Sequence, residues 1–575
     1  MKKLSLICLS GTLALTAACA VIWAADWPTQ SGNPQRDGWA KTEKAFTKAN
    51  ASKIEFLYKY KTDNQAHGLD SLTSPVILER IIGYLGFKEL LVMGGSGDNV
   101  WSVDADLGRI MWKNHFEYKA DKPQQTTSTV VCAGGLSAFV AMPGSSTAGG
   151  GRGPGPGRAG AAGRGPGGAG AGRGPGAPGA PGGGRAMAPA GPPMAPPAPP
   201  LFGAGNFGRG ANFAAIASDG SLHALNSANG VDRVPGIKFL PPNAKVSAIN
   251  INEGVVYAAT QDNCGGNPNG IYAIDLATVT GPATDTKVST LELNGGGTAG
   301  NAGVSVGTDG TVYAQIPNGK GEVAGDYNDT VISLSKDLKV KDYFTPSSAP
   351  VPVTKGVPTP GVTPVVFSWK GSDVIVSAGR DGKVYLLDSK SLGGADHHTP
   401  LFATESVVAA ESKFDGSGFQ GAFASWEDAD NGNTRWVYGS FWGPKGGVIA
   451  FKVEDRGGKP ALVKAWSSRD LQSPAPVATA NGLVFALSSG ESSRYAKEDG
   501  KLLSVAEKEK AAGKAVLYVL DGETGKELYN SGTLATTFSH GSGVSVANRR
   551  IYFTTHDNTV YSLGFLAEQP QLTGK

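Results

Sequence analysis

Val100-Trp101-Ser102-Val103-Asp104 is a five-residue strand pattern that returns seven more times along the 575-residue chain. The other copies are Leu222–Asn226 (LHALN), Ile271–Asp275 (IYAID), Val331–Ser335 (VISLS), Val384–Asp388 (VYLLD), Val448–Lys452 (VIAFK), Leu517–Asp521 (LYVLD) and Val560–Gly564 (VYSLG). After the first interval, successive copies start 43 to 69 residues apart. A period of that length is the spacing of one four-stranded blade per repeat. The longest statement of the repeat, Leu91 to Trp112, reads as strand, Gly-Asp turn, strand, Leu-Gly turn, strand. Asp219-Gly220, Asp309-Gly310, Asp381-Gly382 and Asp557-Asn558 are read as the hairpin turns immediately before the repeated strand, because they accept positive φ. Leu107-Gly108, Asn229-Gly230 and Thr524-Gly525 form a second turn after it. Large side chains on the outermost strand, Trp112, Phe239, Tyr343, Trp466 and Tyr529, are expected to wedge between neighbouring blades.

The predicted fold is therefore all-β: an eight-bladed β-propeller with four-stranded antiparallel blades, numbered here 1 to 8 in the order of the repeated strands. Polar or Pro- and Gly-containing approaches, such as Thr73-Ser74-Pro75, Ser473-Pro474-Ala475 and Gly541-Ser542-Gly543, precede the innermost strands. The last repeat, Gly543 to Phe565, supplies only three strands. Its fourth is assigned to the alternating segment Ile54 to Lys61 near the N-terminus, which closes the ring and removes an open sheet edge. A propeller is one domain that grows with blade number, so residues 26–575 are read as a single unit. Leu503 to Ala512, rich in helix formers, is the one helix-like stretch and is read as a surface excursion of blade 7.

Residues 1–25 have two lysines, an apolar run and small residues at Ala24 and Ala25, the layout of a secretory signal peptide. An exported protein, periplasmic or extracellular and with no membrane span in its mature chain, is expected. Leu15 to Cys19 is a near miss to a lipoprotein signal, with Thr16 in place of an aliphatic residue, so a lipid anchor at Cys19 is the alternative to cleavage before Asp26. The formal net charge is +3, and removing Lys2 and Lys3 leaves a nearly neutral body with no signature of nucleic-acid binding. Glycine (83 residues) and proline (36) concentrate in residues 144–213, an insertion within blade 2. Its run of unbalanced arginines, Arg152, Arg158, Arg164, Arg173 and Arg185 among them, and its lack of a three-residue period read as a disordered linker rather than collagen. Cys132 and Cys264 have no zinc-ligand spacing and either form one bridge or stay apart.

Asp104 to Trp112 and Asp521 to Tyr529 resemble the repeat of the quinoprotein alcohol dehydrogenase-like superfamily, in which the strand ends in Asp and a Thr-Gly-Lys turn leads to Trp. The repeat is shared by PQQ-dependent dehydrogenases, by the lipoprotein that assists outer-membrane barrel assembly and by exported PQQ-binding-like propellers. The opening from Asp26-Trp27-Pro28-Thr29 to Gly38-Trp39 is similar to that of the last group. The resemblance implies two functions. The first is binding or scaffolding in the cell envelope, with a protein partner or small ligand at the axial mouth. The second is a PQQ- and calcium-dependent dehydrogenase acting on alcohols or sugars. The family's enzymes hold the quinone against adjacent cysteines; this chain has no Cys-Cys pair, and no calcium ligand or base is carried over onto it. Catalytic residues are unassigned.

His67, before blade 1, and His540, before blade 8, stand at equivalent places in approach loops, with Asp70 beside the first. Arg469 and Asp470, entering blade 7, complete the axial-mouth candidates for ligand binding. Asp428 to Asn433 resembles a calcium loop only superficially, lacking the spacing of its Gly and the final Glu, and is read as a turn. His397-His398 is read as a solvated pair in an exposed connection. His223 and Tyr272 share a strand slot with Trp101, Tyr385 and Tyr561 and are read as interblade packing.

Overall fold

The computed structural model describes residues 26–83, 86–118, 212–232, 235–279, 286–295, 297–319, 327–348, 356–408 and 414–566. Residues 1–25 with Cys19, Cys132, and residues 144–211, on which the expected signal peptide, lipid anchor and insertion rest, fall outside them. Strand Asn212–Ile216 begins where the insertion ends, and Phe213 is fully buried.

Eight sheets form the ring. Blade 1 is built from Val76–Gly83, Gly86–Gly95, Asn99–Asp104 and Arg109–His115, each antiparallel to the next. The repeated strand is third in its sheet in every blade with four described strands. In blade 2 the described strands are the last three, Asn212–Ile216, Ser221–Asn226 and Ile237–Lys238. Five of the six residues of Asn99–Asp104 are buried. Both of its faces are covered because each blade is packed between two others, so no face is left for water. The ring closes as the sequence pattern predicts: Glu55–Lys61 pairs antiparallel with Thr559–Gly564, placing Tyr60 opposite Val560.

One turn lies a hairpin away from its expected place. Asp309-Gly310 joins the first and second strands of blade 4, Ser305–Val306 and Val312–Ile316, and so precedes the repeated strand by a whole strand. A Gly with positive φ suits any tight reversal, so the dipeptide alone does not say which hairpin it closes. Blade 6 is larger than four strands. Its strand Thr434–Trp442 also pairs with Gly418–Ala422, which runs parallel to Gly361–Thr363 at the entry to blade 5 and ties two blades together.

The aromatic wedges follow a rule visible in three seams. Trp112 of blade 1 donates its indole N–H to the Ser227 carbonyl of blade 2 at 2.8 Å, and Trp466 of blade 6 donates to Gly522 of blade 7 at 3.0 Å. Each ring lies on the glycine of the next blade's second turn. A Cβ on Gly230 would sit 2.3 Å from Trp112, one on Gly525 2.6 Å from Trp466, and one on Gly108 2.6 Å from Tyr58 of the closing strand. Gly525 also has φ +71, which side chains other than glycine adopt only with strain. Gly525→Val is therefore expected to destabilise the protein by about 3 kcal/mol through strain plus displacement of Trp466. Urea denaturation checks this; a change below about 0.5 kcal/mol would show that the seam is loose.

Residues 26–50 have no strand period, yet they bind almost the whole ring. Trp27 exchanges main-chain bonds with Ile77 of blade 1. The carbonyls of Pro34, Gln35, Asp37 and Gly38 accept from Val306, Val366, Ser425 and Thr479, on the inner strands of blades 4, 5, 6 and 7. Thr29 donates to Ile249 of blade 3, and Glu43 accepts from Arg549 of blade 8. An innermost strand has an unpaired inner edge, and this segment supplies its partners from the axis. Arg36 is 0% exposed at the centre, donating to Thr29 Oγ1 (2.7 Å) and to the carbonyls of Gln30 (2.6 Å), Ile249 (2.9 Å) and Val304 (3.2 Å). Burial pulls its guanidinium down to about 9. Cys264 is buried and disulfide-bonded.

Candidate functional site

The turns before the repeated strands and the approaches to the innermost strands share one end of the ring, opposite the turns that the aromatic wedges cover. At that end blade 7 contributes a long excursion, residues 489–515, between Leu483–Ser488 and Val516–Asp521. It contains the predicted helix, Val505–Ala511, which starts in a reciprocal cap between Ser504 and Glu507. The excursion lies across the face. Tyr495 N–H donates to Phe414 at the entry to blade 6, and Tyr495 and Ala496 pack with Leu69, Val357 and Phe538 from the approaches to blades 1, 5 and 8.

Beneath it is a network of compensated charges. Glu491 and Lys508 are each 1% exposed and 3.0 Å apart. Glu491 also accepts from Tyr495 Oη at 2.6 Å and from His540 Nδ1 at 2.7 Å. A carboxylate only accepts, so His540 carries a proton on Nδ1. Its Nε2 faces Asp70 Oδ1 at 3.7 Å. Lys245 of blade 3 pairs with Asp262 at 3.2 Å and feels Asp70 as well. Asn301 of blade 4 donates to the Gly541 carbonyl before blade 8 at 3.2 Å, a bond between opposite sides of an eight-bladed ring.

The sequence-predicted residues divide accordingly. His540 and Asp70 meet in the network, and His67 closes a turn with Asp70 through bonds of 2.9 and 3.0 Å between their main chains. Arg469 instead extends over Tyr518 towards Glu527 on the outermost strand of blade 7, at 3.4 Å, and Asp470 is exposed beside it. Glu491, Tyr495, Lys508, Lys245, Asp262 and Asn301 carried no signal in sequence, because charges scattered over loops of different blades converge only once the ring has formed. His397 and His398 are not simply solvated: His397 stacks on Tyr343 at 3.9 Å, and His398 Nδ1 lies 2.8 Å from the Thr345 carbonyl. Asp428 to Asn433 is a turn between Ala424–Asp428 and Thr434–Trp442. Trp101, Tyr272, Tyr385 and Tyr561 are buried in interblade cores, and His223 stacks on Phe116 of blade 1 while also pairing with Asp232.

Burial alone would raise the Glu491 carboxyl, but His540 and Lys508 outweigh it and hold Glu491 at about 2. Burial disfavours the His540 imidazolium, yet Glu491 and Asp70 raise its pKa above the ordinary 6.5. Glu491 therefore stabilises the fold fully above its unfolded value of 4.5, and this contribution is lost as pH falls towards 2. The His540 contribution is full below 6.5 and is lost as pH rises through the raised folded value. Unfolding free energy measured against pH is expected to peak between 4.5 and 6.5. A steady rise in stability from pH 6.5 to 9 would contradict the pairing.

No protein-family model matches the sequence, and no curated protein matches it either. Solved structures do. A quinohemoprotein alcohol dehydrogenase from Pseudomonas putida HK5 superposes with a TM-score of 0.52 at 11% identity, over 96% of this chain and 82% of its own. A europium-containing methanol dehydrogenase superposes with a TM-score of 0.53 at 10% identity, over 94% and 98%. At such identities the likeness is one of fold.

A planar quinone held with a divalent cation requires a clear slot and uncommitted donors. Here the Asn301–Gly541 bond spans the axis, the segment around Arg36 fills it further along, and the buried Glu491 carboxylate is taken up by Lys508 and His540. Among the described residues no three His, Cys, Asp or Glu side chains converge as a metal-ligand set. The groups at the mouth do not fit PQQ with calcium. In architecture the chain is an eight-bladed β-propeller, similar to those dehydrogenases in the path of its backbone.

Proposed function

We propose that the protein is an exported propeller of the cell envelope that binds a ligand or partner protein at its axial mouth and does not turn over a substrate. The observation that supports this reading is the mouth itself. Charges from blades 1, 3, 7 and 8 are compensated under the blade 7 excursion, while the Asp70 and Asp262 side chains stay 43% and 37% exposed. Two carboxylates presented on a rigid rim suit recognition of donor groups, and the fixed network behind them supplies the rigidity.

The discriminating experiment adds PQQ and calcium to purified protein and follows dye reduction with a panel of alcohols and aldoses. No reduction is expected. Turnover would overturn the binding reading in favour of a quinoprotein dehydrogenase. In parallel, a partner captured from envelope extract should be lost when Asp70→Asn and Asp262→Asn are combined; capture unaffected by the pair would move the site away from the mouth.

A further inference from the structure

The seam between blades 1 and 2 holds a cavity of about 300 Å³, away from the axis. That is room for about ten waters, or for one ring with a short side chain. Its lining is unlike a packed seam. Phe116 stacks on the His223 imidazole, with ring centres 4.0 Å apart and planes at 29°. His223 Nδ1 and Asp232 Oδ2 are 2.7 Å apart. Tyr118 and the carboxylates of Asp219 and Glu117 complete the polar wall, with His115 beside them. Asp219 is held in place by the Ser221 N–H at 2.8 Å and the Ser221 hydroxyl at 2.9 Å.

Among the described residues, two buried polar atoms of this lining have no hydrogen-bond partner: His223 Nε2 and Asp232 Oδ1. Buried polar groups are normally satisfied, so an unpaired couple beside a cavity calls for an occupant. Their chemistry restricts it. Asp232 Oδ2 accepts from His223 Nδ1–H, and the unpartnered Asp232 Oδ1 beside it is a second acceptor. The occupant must bring N–H donors. Three carboxylates favour positive charge, and the Phe116 face adds an apolar and cation-attracting wall. An anion would meet acceptors on nearly every side.

We propose that this cavity is a binding site for a small organic cation, an ammonium, amidinium or guanidinium group carried on an aromatic or aliphatic body. The site is independent of the axial mouth. Asp232 receives its N–H groups, Phe116 covers its body, and Asp219 and Glu117 set the sign of the charge.

Isothermal titration of the full-length protein with benzylamine, and with phenylacetate as its anionic counterpart, tests the assignment. Benzylamine is expected to bind and to shift the His223 ring resonances, and phenylacetate to give no heat. Asp232→Asn keeps the shape and removes the charge; it should weaken benzylamine at least tenfold while the melting temperature stays within a few degrees. Asp262→Asn at the axial mouth should leave benzylamine affinity as it was. The proposal fails if benzylamine gives no heat at 10 mM (about a hundredfold above a 0.1 mM site), if phenylacetate binds as well, or if Asp262→Asn rather than Asp232→Asn abolishes binding.

Discussion

Glu491→Ala is expected to destabilise the axial face by about 3–5 kcal/mol, because it strips the common partner from two cations in one step. Lys508 is 1% exposed and is left with the face of Tyr495, 3.4 Å from its nitrogen, and the Ser492 carbonyl. His540 loses the 2.7 Å bond that raises its pKa, so burial takes over and favours the neutral ring. The loss should appear in hydrogen exchange as early opening of residues 489–515, ahead of the blades, and in denaturant unfolding as a lower midpoint. A double variant, Glu491→Leu with Lys508→Met, removes charge and counter-charge together and is expected to recover most of the stability. If the single variant costs less than 1 kcal/mol, or the double variant is worse than the single, the buried pair does not hold the excursion down.

Removing residues 26–61 is expected to abolish the soluble monomer. Seven main-chain bonds to inner strands disappear, each contributing about 1 kcal/mol. Trp27, Phe46 and Ile54, all under 5% exposed, leave the core, each contributing about 2–3 kcal/mol. The total, about 13–16 kcal/mol, matches the upper end of the about 5–15 kcal/mol by which domains are usually stable. Thr559–Gly564 also becomes an uncovered sheet edge ready to pair with another chain. Size-exclusion chromatography should show aggregates, and a synthetic peptide of residues 26–61 added during refolding should restore a monomer peak. A monomeric truncated protein with an unchanged melting temperature would mean that the ring stands without its axial segment and its closing strand.

The blades were legible because a repeated unit states its pattern many times, so a strand or wedge ambiguous in one copy is settled by the others; only the Asp309-Gly310 turn was assigned to the wrong hairpin. Trp112 and Trp466 on the outer strands, Gly230 and Gly525 beneath them, and Glu55–Lys61 as the missing strand all follow from local periodicity. The axial segment was not legible. Its carbonyls at Pro34, Gln35, Asp37 and Gly38 bind through main-chain atoms, which leave no trace in side-chain pattern. The mouth was half legible. Equivalence of approach loops singled out His67, Asp70 and His540, but Glu491 and Lys508 lie 17 positions apart in an excursion whose charges read as a solvated helix face. Only burial shows that Lys508 points inward. Arg469 shared the approach position with the histidines, and its length carried it to the rim instead.

The path of residues 26–50 has a temporal consequence. This stretch precedes the blades along the chain, yet its contacts belong to strands hundreds of residues further on: Thr29 meets Ile249, Gly38 meets Thr479 and Glu43 meets Arg549. The earliest blades therefore stay incompletely bonded at their inner margins until the strands of blades 7 and 8 are available to complete the axial contacts. Such long-range closure slows maturation and prolongs the interval in which unpaired backbone is open to other chains.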